Sequence, residues 1–586
     1  MEQGPDRRYI GKTLIVYLGG AWVFIEAISF LVEKYSWNTT IVDVLILLVI
    51  FGLPATLIYT WFRQKFTRKA ILFQSVNAVL ALAVISFTLA SPGQLNPTQL
   101  RLLKFRDNQK QLAESINSIV ILPFDNFTGN DDNEFFVAGM QSSLITDMGR
   151  IGALKVMCNT TSNSFKGTDK SVREIASELD VDAAVEASVT CLGDDSICIQ
   201  ARLIYASGEE QQLWVKDFRV AKDQVLNFYN DVTKTISEEI NIVLSPEEES
   251  MLAESRKVDP DAYDAYLMGK FFWEKLEQES VQKALEYFQK AIDIDPEWAD
   301  PYAGLANTWS LLGMFGFMPK SVTLPNTYKY LNKALELDPN SAQAQYVKAL
   351  NAVWQEFDWE QGEKAFLRSL ELNSNDALCR LYYSHFLMCM RRSEEALQQA
   401  RLGLELDPLR PLVLGLYGMV MNMAGEYESA IQYFEKALAI DPNDVFSYGN
   451  LKSARMNFAY IEGDYKMWFE LWGEKVKRGW SEECRQSVLN AFEERGHIAG
   501  IEEMFIMNEK YGDENALMTA GIKLERYIKL GQYDEAMDYL EQAYEIRSMD
   551  LAYLATNQYY DYLKDNPRYI ELLKKMNLPQ CCLLYT

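Results

Sequence analysis

Between residues 125 and 134, Asp125, Asp131, Asp132 and Glu134 place four carboxylates in a loop that also holds Asn126, Thr128 and Gly129. Carboxylates so spaced are the raw material of a hard-cation site. The loop separates an apolar stretch, SIVIL at 118–122, from an amphipathic one, EFFVAGMQSSLITDMGR at 134–150. A strand, a glycine-containing loop and a helix start are also the parts of an anion cradle, because loop and first-turn N–H groups converge on a phosphate. Neither chemistry has its full set of residues. The D-x-[DN]-x-[DN]-G order of a calcium loop is missing, as are the lysine and glycine spacing of a phosphate loop, and the acidic side chains would repel phosphate. The stretch reads as structure: Pro123 closes the strand, Gly129 permits the turn, and Asp132 or Asn133 caps the helix.

The rest of the chain adds few reactive groups. His385 and His497 are the two histidines, and the eight cysteines form no CxxC pair, so a zinc site has too few ligands at usable spacing. Cys191 and Cys198 flank Gly193-Asp194-Asp195-Ser196, which suits a hairpin turn; across it they could form a disulfide or remain two buried thiols. GxSxG, HExxH, GxxxxGK[ST] and GxGxxG do not occur. Asp and Glu are numerous but recur at repeat spacing, as solvated faces do. No catalytic, cofactor-binding or metal-binding residue is therefore assigned, and the chain reads as a binding protein and not an enzyme. An enzyme of unrecognised type would need a polar pocket with a perturbed acid in the middle domain.

Three elements must position whatever the chain binds. The first is apolar: residues 13–32, 41–62 and 71–90 are each long enough, as helices, to cross about 30 Å of hydrocarbon. Gln74 and Asn77 weaken the third. Arg7, Arg8 and Lys12 precede the first segment and Arg63, Lys65, Arg68 and Lys69 follow the second, which by the positive-inside rule leaves the N-terminus inside and residues 91–586 outside. If the third segment does not span, the large domain faces the cytoplasm. Glu26 lies within the first segment, where pairing between helices is its simplest role. Net charge is -25, and residues 1–110 hold 12 Lys and Arg against 6 Asp and Glu, so the acidity belongs to the remainder. Such a surface excludes nucleic acid as its partner, since phosphate neutralisation needs clustered Lys and Arg.

The second element is an α+β domain. Residues 117–122 and 154–158 read as strands, 134–150 as a helix, 182–192 and 196–205 as a hairpin, 212–219 as a further strand and 222–243 as a helix, giving βαβαβββα. Ser171 and Glu174 make a capping box for a short helix to Leu179. The phrase SIVILPFDNFTGNDDNEFFVAGMQSSLITDMGRIGALKV, with SFKG at 164–167, VREIASELDVDAAVEASV at 172–189 and ARLIYASGEEQQLWVKDF at 201–218, resembles the TolB-like amino-terminal domain. In that family the domain precedes tetratricopeptide repeats in membrane-tethered bacterial proteins, some with an adenylate cyclase or a winged-helix DNA-binding domain in front. Only 12 residues precede the first apolar segment, so no such output domain is expected there.

The third element is a repeat of period 34. Residues 411–444 carry Tyr417, Gly418, Gly425, Ala430, Phe434, Ala437 and Pro442 in step with the tetratricopeptide pattern, where small residues let paired helices approach and Pro ends the second. Residues 262–298, 299–341, 342–376 and 377–410 repeat it, the second with an insertion at 313–325; it decays after 445 and returns at Gly531, Ala536, Leu540 and Ala543. DNPRYIELLKKMNLP at 565–579 resembles a closing cap. Stacked helix pairs form a superhelix with a concave groove suited to a protein or peptide. The family resemblance puts the first helix of each repeat on that groove, and by register Tyr346, Leu350, Val353, Trp354, Leu381, His385, Met388, Met419, Asn422 and Asn457 should face it.

The expected fold class is thus α+β: a tail (1–12), three transmembrane helices (13–91), a linker (92–116), a TolB-like α+β domain (117–245), a linker helix (246–261), an all-α tetratricopeptide superhelix (262–579) and a tail (580–586). The expected function is protein or peptide binding and sensing by an inner-membrane, multi-pass, periplasm-facing protein in contact with the lipid bilayer. The alternative is a cytoplasm-facing scaffold that recruits soluble proteins.

Overall fold

The computed structural model describes residues 17–18, 21–22, 25–29, 40–61, 68–90, 108–192, 196–253, 257–275, 278–314, 316–476, 480–511, 520–556 and 558–580. It divides into two compact units, Met1–Gln109 and Lys110–Thr586.

In the first unit, helices Thr40–Trp61 and Arg68–Ala90 run antiparallel. Asn77 Nδ2 donates to Phe51 O at 2.8 Å, and Gln74, one turn earlier, donates to Ala55 O at 3.4 Å, one turn later. Most of the expected first span, residues 13–32, lies outside the described residues. Among the described residues no helix is long and apolar enough to cross a membrane. The expected three transmembrane helices, the fold class containing them, the bilayer contact and the multi-pass localisation with residues 91–586 outside are corrected by that finding. The expectation rested on window hydropathy, in which the polar groups of Gln74 and Asn77 counted as minor interruptions; here they bridge one helix to the other.

The second unit begins with a mixed sheet in the order β3-β1-β4-β5-β6, where β1 is Ser118–Ile121, β3 Lys155–Val156, β4 Ala183–Leu192, β5 Ser196–Tyr205 and β6 Gln211–Ala221. β1 is parallel to both neighbours, β4 to β6 form an antiparallel meander, and the short β2 (Asp125–Asn126) pairs with β4. Alternation along β1 explains the layers, because successive strand residues point to opposite faces. Ile119 and Ile121 meet helices Glu134–Met148 and Val225–Glu239 through Phe136, Met140, Phe228 and Val232, whereas Val120 and Leu122 meet Val172–Leu179 through Ile175 and Leu179. The capping box of Ser171 and Glu174 opens that short helix. Cys191 and Cys198, cross-strand partners in β4 and β5, form a disulfide.

The acidic loop departs from expectation in one respect. Asp131–Asn133 is a turn of 3-10 helix, and Asn133, at the N-cap position, does not cap the following helix through its side chain. Asn126 instead accepts from the Thr128 N–H and hydroxyl (3.1 and 2.7 Å), an Asx-type turn that organises the loop.

From Pro260 onward the chain is a run of antiparallel helix pairs: Pro260–Glu274 with Gln278–Ile294, Ala299–Met314 with Lys320–Leu337, Ala342–Asn351 with Trp359–Leu372, Ala377–Cys389 with Ser393–Leu406, and Pro411–Met423 with Tyr427–Ile440. Small residues set the spacing. A Cβ on Gly269 or Gly304 would stand 2.5 or 2.9 Å from the Phe288 ring, and one on Gly418 2.9 Å from the Phe434 ring. Helix pairs continue after residue 445 where the pattern fades, because aromatic residues take over the packing: Trp468, Phe469, Trp472 and Trp480 form a separate buried cluster.

The repeats grip the α+β domain. Gly139 and Leu267 bring helix Glu134–Met148 against the first repeat helix, since a Cβ at 139 would stand 2.7 Å from Leu267. Asn375 then donates to Gly149 O (3.0 Å) and Leu154 O (2.9 Å) and accepts from Val156 N–H (2.9 Å). Asp407 accepts from the Thr161 N–H (3.0 Å) and hydroxyl (2.7 Å).

Candidate functional site

The inner helices of a repeat stack present one row of side chains per repeat to the concave surface, so the ten groove residues test that surface directly. They fall into two groups. Tyr346, Leu350, Val353, Trp354, Leu381, His385 and Met388 are each at most 4% exposed. Met419, Asn422 and Asn457 line an open cleft of about 760 Å³.

Trp354 and His385 of the first group are covered by the chain's own C-terminal segment. The 3-10 turn Met549–Tyr553 lies in the concave surface, where the Trp354 indole N–H donates to Tyr553 Oη at 3.2 Å and Tyr553 Oη is 3.2 Å from His385 Nδ1. His385 Nε2 is 3.1 Å from Leu416 O. A carbonyl only accepts, so Nε2 carries the proton and Nδ1 accepts from the tyrosine. Burial pushes the His385 pKa down to about 4, which keeps the ring neutral. Arg391 clasps Ala555 O with two donors, at 2.8 and 2.6 Å, and the cap helix Pro567–Lys575 comes next, opened by the Asn566 side chain. Its Leu572, Leu573 and Met576 share the core of Trp354 and Trp359. The segment expected to close the end of the stack thus packs back across its middle.

Val353 differs for a local reason. Residues Ala352–Glu356 form a turn of π-helix, which adds a residue to the turn and rotates the side chains beyond it. Val353 packs within its own repeat, 2.5 Å from where a Cβ on Gly362 would lie. Tyr346 faces a second pocket, on the side of the α+β domain.

The open cleft is built by Met419 and Asn422 on Pro411–Met423, Asn457 and Tyr460 on Val445–Ile461, the returning helices Ala520–Lys529 and Tyr533–Glu545, and Tyr553 and Tyr560 of the C-terminal segment. Tyr553 therefore borders both the filled and the open part of the surface. Burial pushes the Tyr460 hydroxyl up to about 12 and also raises those of Tyr553 and Tyr560, so all three are neutral. Asn422 Oδ1 is buried at the cleft wall with no hydrogen-bond partner among the described residues. Tyr553 and Tyr560 were not singled out in the sequence. The aromatic density of LAYLATNQYYDYL at 551–563, too high for a solvated tail, was the available signal.

No group of three or more His, Cys, Asp or Glu among the described residues could hold a metal ion.

Comparison with known proteins bears on the same region. Tetratricopeptide-repeat family models match residues 388–445 and 527–548. The C-terminal part carries tetratricopeptide repeats, an architecture that scaffolds protein–protein interaction. The chain is 26% identical over 245 residues to "Putative adenylate cyclase 3" of Rhizobium meliloti (strain 1021), covering 40% of each chain. It is 29% identical over 151 residues to the transcriptional regulator HilA of Salmonella typhimurium, covering 26% of this chain and 27% of that one. It is 25% identical over 314 residues to DnaJ homolog subfamily C member 7 of Homo sapiens, covering 45% and 63%. The chain thus spans less than two thirds of each of these relatives. Among solved structures, a thermophilic tetratricopeptide protein of Thermus thermophilus aligns with TM-score 0.28 and 16% identity, over 33% of this chain and 98% of that one.

Proposed function

We propose that the chain is an interaction scaffold that docks a protein or peptide partner in the open cleft, with Met419, Asn422 and Asn457 among the contacts. One observation carries this: Asn422 holds a buried oxygen without a hydrogen-bond donor among the described residues, at the wall of a cleft where Met, Leu and Tyr side chains alternate with polar ones such as Asn457, Gln542 and Asp550. An unpaired buried acceptor costs about 1–3 kcal/mol, and an extended or helical backbone N–H supplied by a partner would recover it. The apolar and aromatic lining favours a partner with exposed apolar side chains. Trp354 and His385, already covered by the C-terminal segment, hold that segment in place and act on the partner through Tyr553. The domain at 117–245 is read as TolB-like; the phrase at 118–140 and the order of its strands and helices support this.

No catalytic role is proposed. The cyclase activity in the name of the Rhizobium relative belongs to that protein, 60% of which lies outside the match. Calorimetric titration of a partner peptide into the full chain and into Asn422→Leu tests the docking site. The expected result is binding weakened about tenfold or more, the worth of one buried hydrogen bond; unchanged affinity would remove Asn422 from the site.

A further inference from the structure

A second pocket, of about 220 Å³, lies where the inner helices of the first repeats meet the α+β domain, and it shares no lining residue with the partner cleft. Its wall leaves both kinds of polar group unpaired. Among the described residues, the Trp273 indole N–H is buried without an acceptor, and Asn307 Oδ1 and Asp407 Oδ2 are buried without a donor. Asn307 is 3% exposed and Asp407 fully buried. Arg410 approaches Asp407 Oδ2 only to 3.9 Å, too far for a hydrogen bond. Lys270, one turn before Trp273 on the same helix face, makes no hydrogen bond or ion pair among the described residues and rests 5.8 Å from the centre of the Tyr266 ring. Burial pushes its pKa down.

The carboxylates of the wall are already engaged. Glu274 accepts two hydrogen bonds from Asn159 at 3.0 Å, Asp376 caps a helix through Cys379 N–H, and Asp407 uses its other oxygen on Thr161. The unmet needs are an acceptor for an ammonium and an indole N–H, and a donor for two oxygens. A simple anion would answer the first and sit among three carboxylates; a simple cation would answer the second and face Lys270. A molecule carrying both charges answers both.

We propose that this pocket binds a free α-amino acid with a small side chain, its carboxylate toward Lys270 and Trp273 and its ammonium toward Asn307 and Asp407. Because the pocket joins the α+β domain to the repeats, the bound amino acid strengthens that junction. The site is independent of the partner cleft.

Thermal melting of the full chain with glycine, L-alanine or L-serine, beside acetate and methylamine as half-ligands, tests it. The expected result is a rise in Tm of about 3 °C or more at about 10 mM amino acid, as mass action gives for a ligand well above its Kd, with neither half-ligand matching it. Asn307→Leu removes an oxygen that has no donor among the described residues, so it should melt no lower than wild type and lose the response; Lys270→Met, which removes a cation lying near Glu274, Asp300 and Asp147, should lose the response too, whereas Asn422→Leu keeps it. No shift with any amino acid means the pocket holds water only and overturns the proposal. An equal shift with acetate alone overturns it in favour of a plain anion site, and so does an undiminished response in both variants. If a variant fails to fold, the wild-type series still decides.

Discussion

The Tyr553 hydroxyl stands 3.2 Å from His385 Nδ1, linking the chain's C-terminal segment to an inner repeat helix that lies 168 positions earlier in sequence. The same oxygen accepts from the Trp354 indole. Tyr553→Phe leaves both partners buried and unpaired, at a cost of about 2 kcal/mol. Urea denaturation of the full chain should show the midpoint fall with the slope unchanged. A neutral outcome would mean that the segment does not hold the groove through this hydroxyl.

The neutral state of His385 has a pH signature. Its folded pKa of about 4 lies below the ordinary 6.5, so the unfolded chain takes up the proton first. Stability from this group is complete above about pH 6.5 and is lost as pH falls toward 4, to a total of about 3 kcal/mol. Buried carboxylates titrate in the same range, so the comparison is wild type against His385→Gln across pH 7 to 4. The variant should show the flatter acid limb; parallel curves would mean that the ring is protonated in the fold.

Asn375 ties the two halves of the second unit by three hydrogen bonds of 2.9–3.0 Å to residues 149, 154 and 156. Asn375→Leu strands one N–H and two carbonyls at the junction and should cost about 3 kcal/mol. Tryptophan fluorescence and circular dichroism should then report separate transitions for the sheet domain and the repeats, where wild type shows one. A single shared transition in the variant would show that apolar contact alone couples them.

The Cys191–Cys198 disulfide closes a short loop, with a sequence separation of 7. Chain-entropy arguments give such a loop about 2 kcal/mol. Calorimetry of the full chain with and without reductant should show its shared transition a few degrees lower when reduced. An unmoved transition would contradict the assignment.

The strands and helices of residues 118–239 were legible because period-two and period-3.6 apolar patterns alternate cleanly there, and the repeats because glycine and alanine recur where Phe288 and Phe434 need room. The groove was legible only in part. Register placed Met419, Asn422 and Asn457 at the open cleft, but it could not show that Met549–Tyr553 covers Trp354 and His385, since nothing local to residues 342–390 encodes a segment far along the chain. The π-turn at Ala352–Glu356 likewise breaks a register that assumes 3.6 residues per turn. Hydropathy misled for the N-terminal unit, because it counts Gln74 and Asn77 as interruptions of an apolar run and not as the bridges they form between two helices.

The central claim is that the partner lies in the cleft beside Asn422. Photo-crosslinking tests it most directly, with a photoreactive phenylalanine placed in turn at 422, at 457, and at Leu367, which is exposed on an outer helix. The account predicts adducts with one and the same polypeptide from 422 and 457 and none from 367. Adducts from 367 with none from the cleft would contradict it.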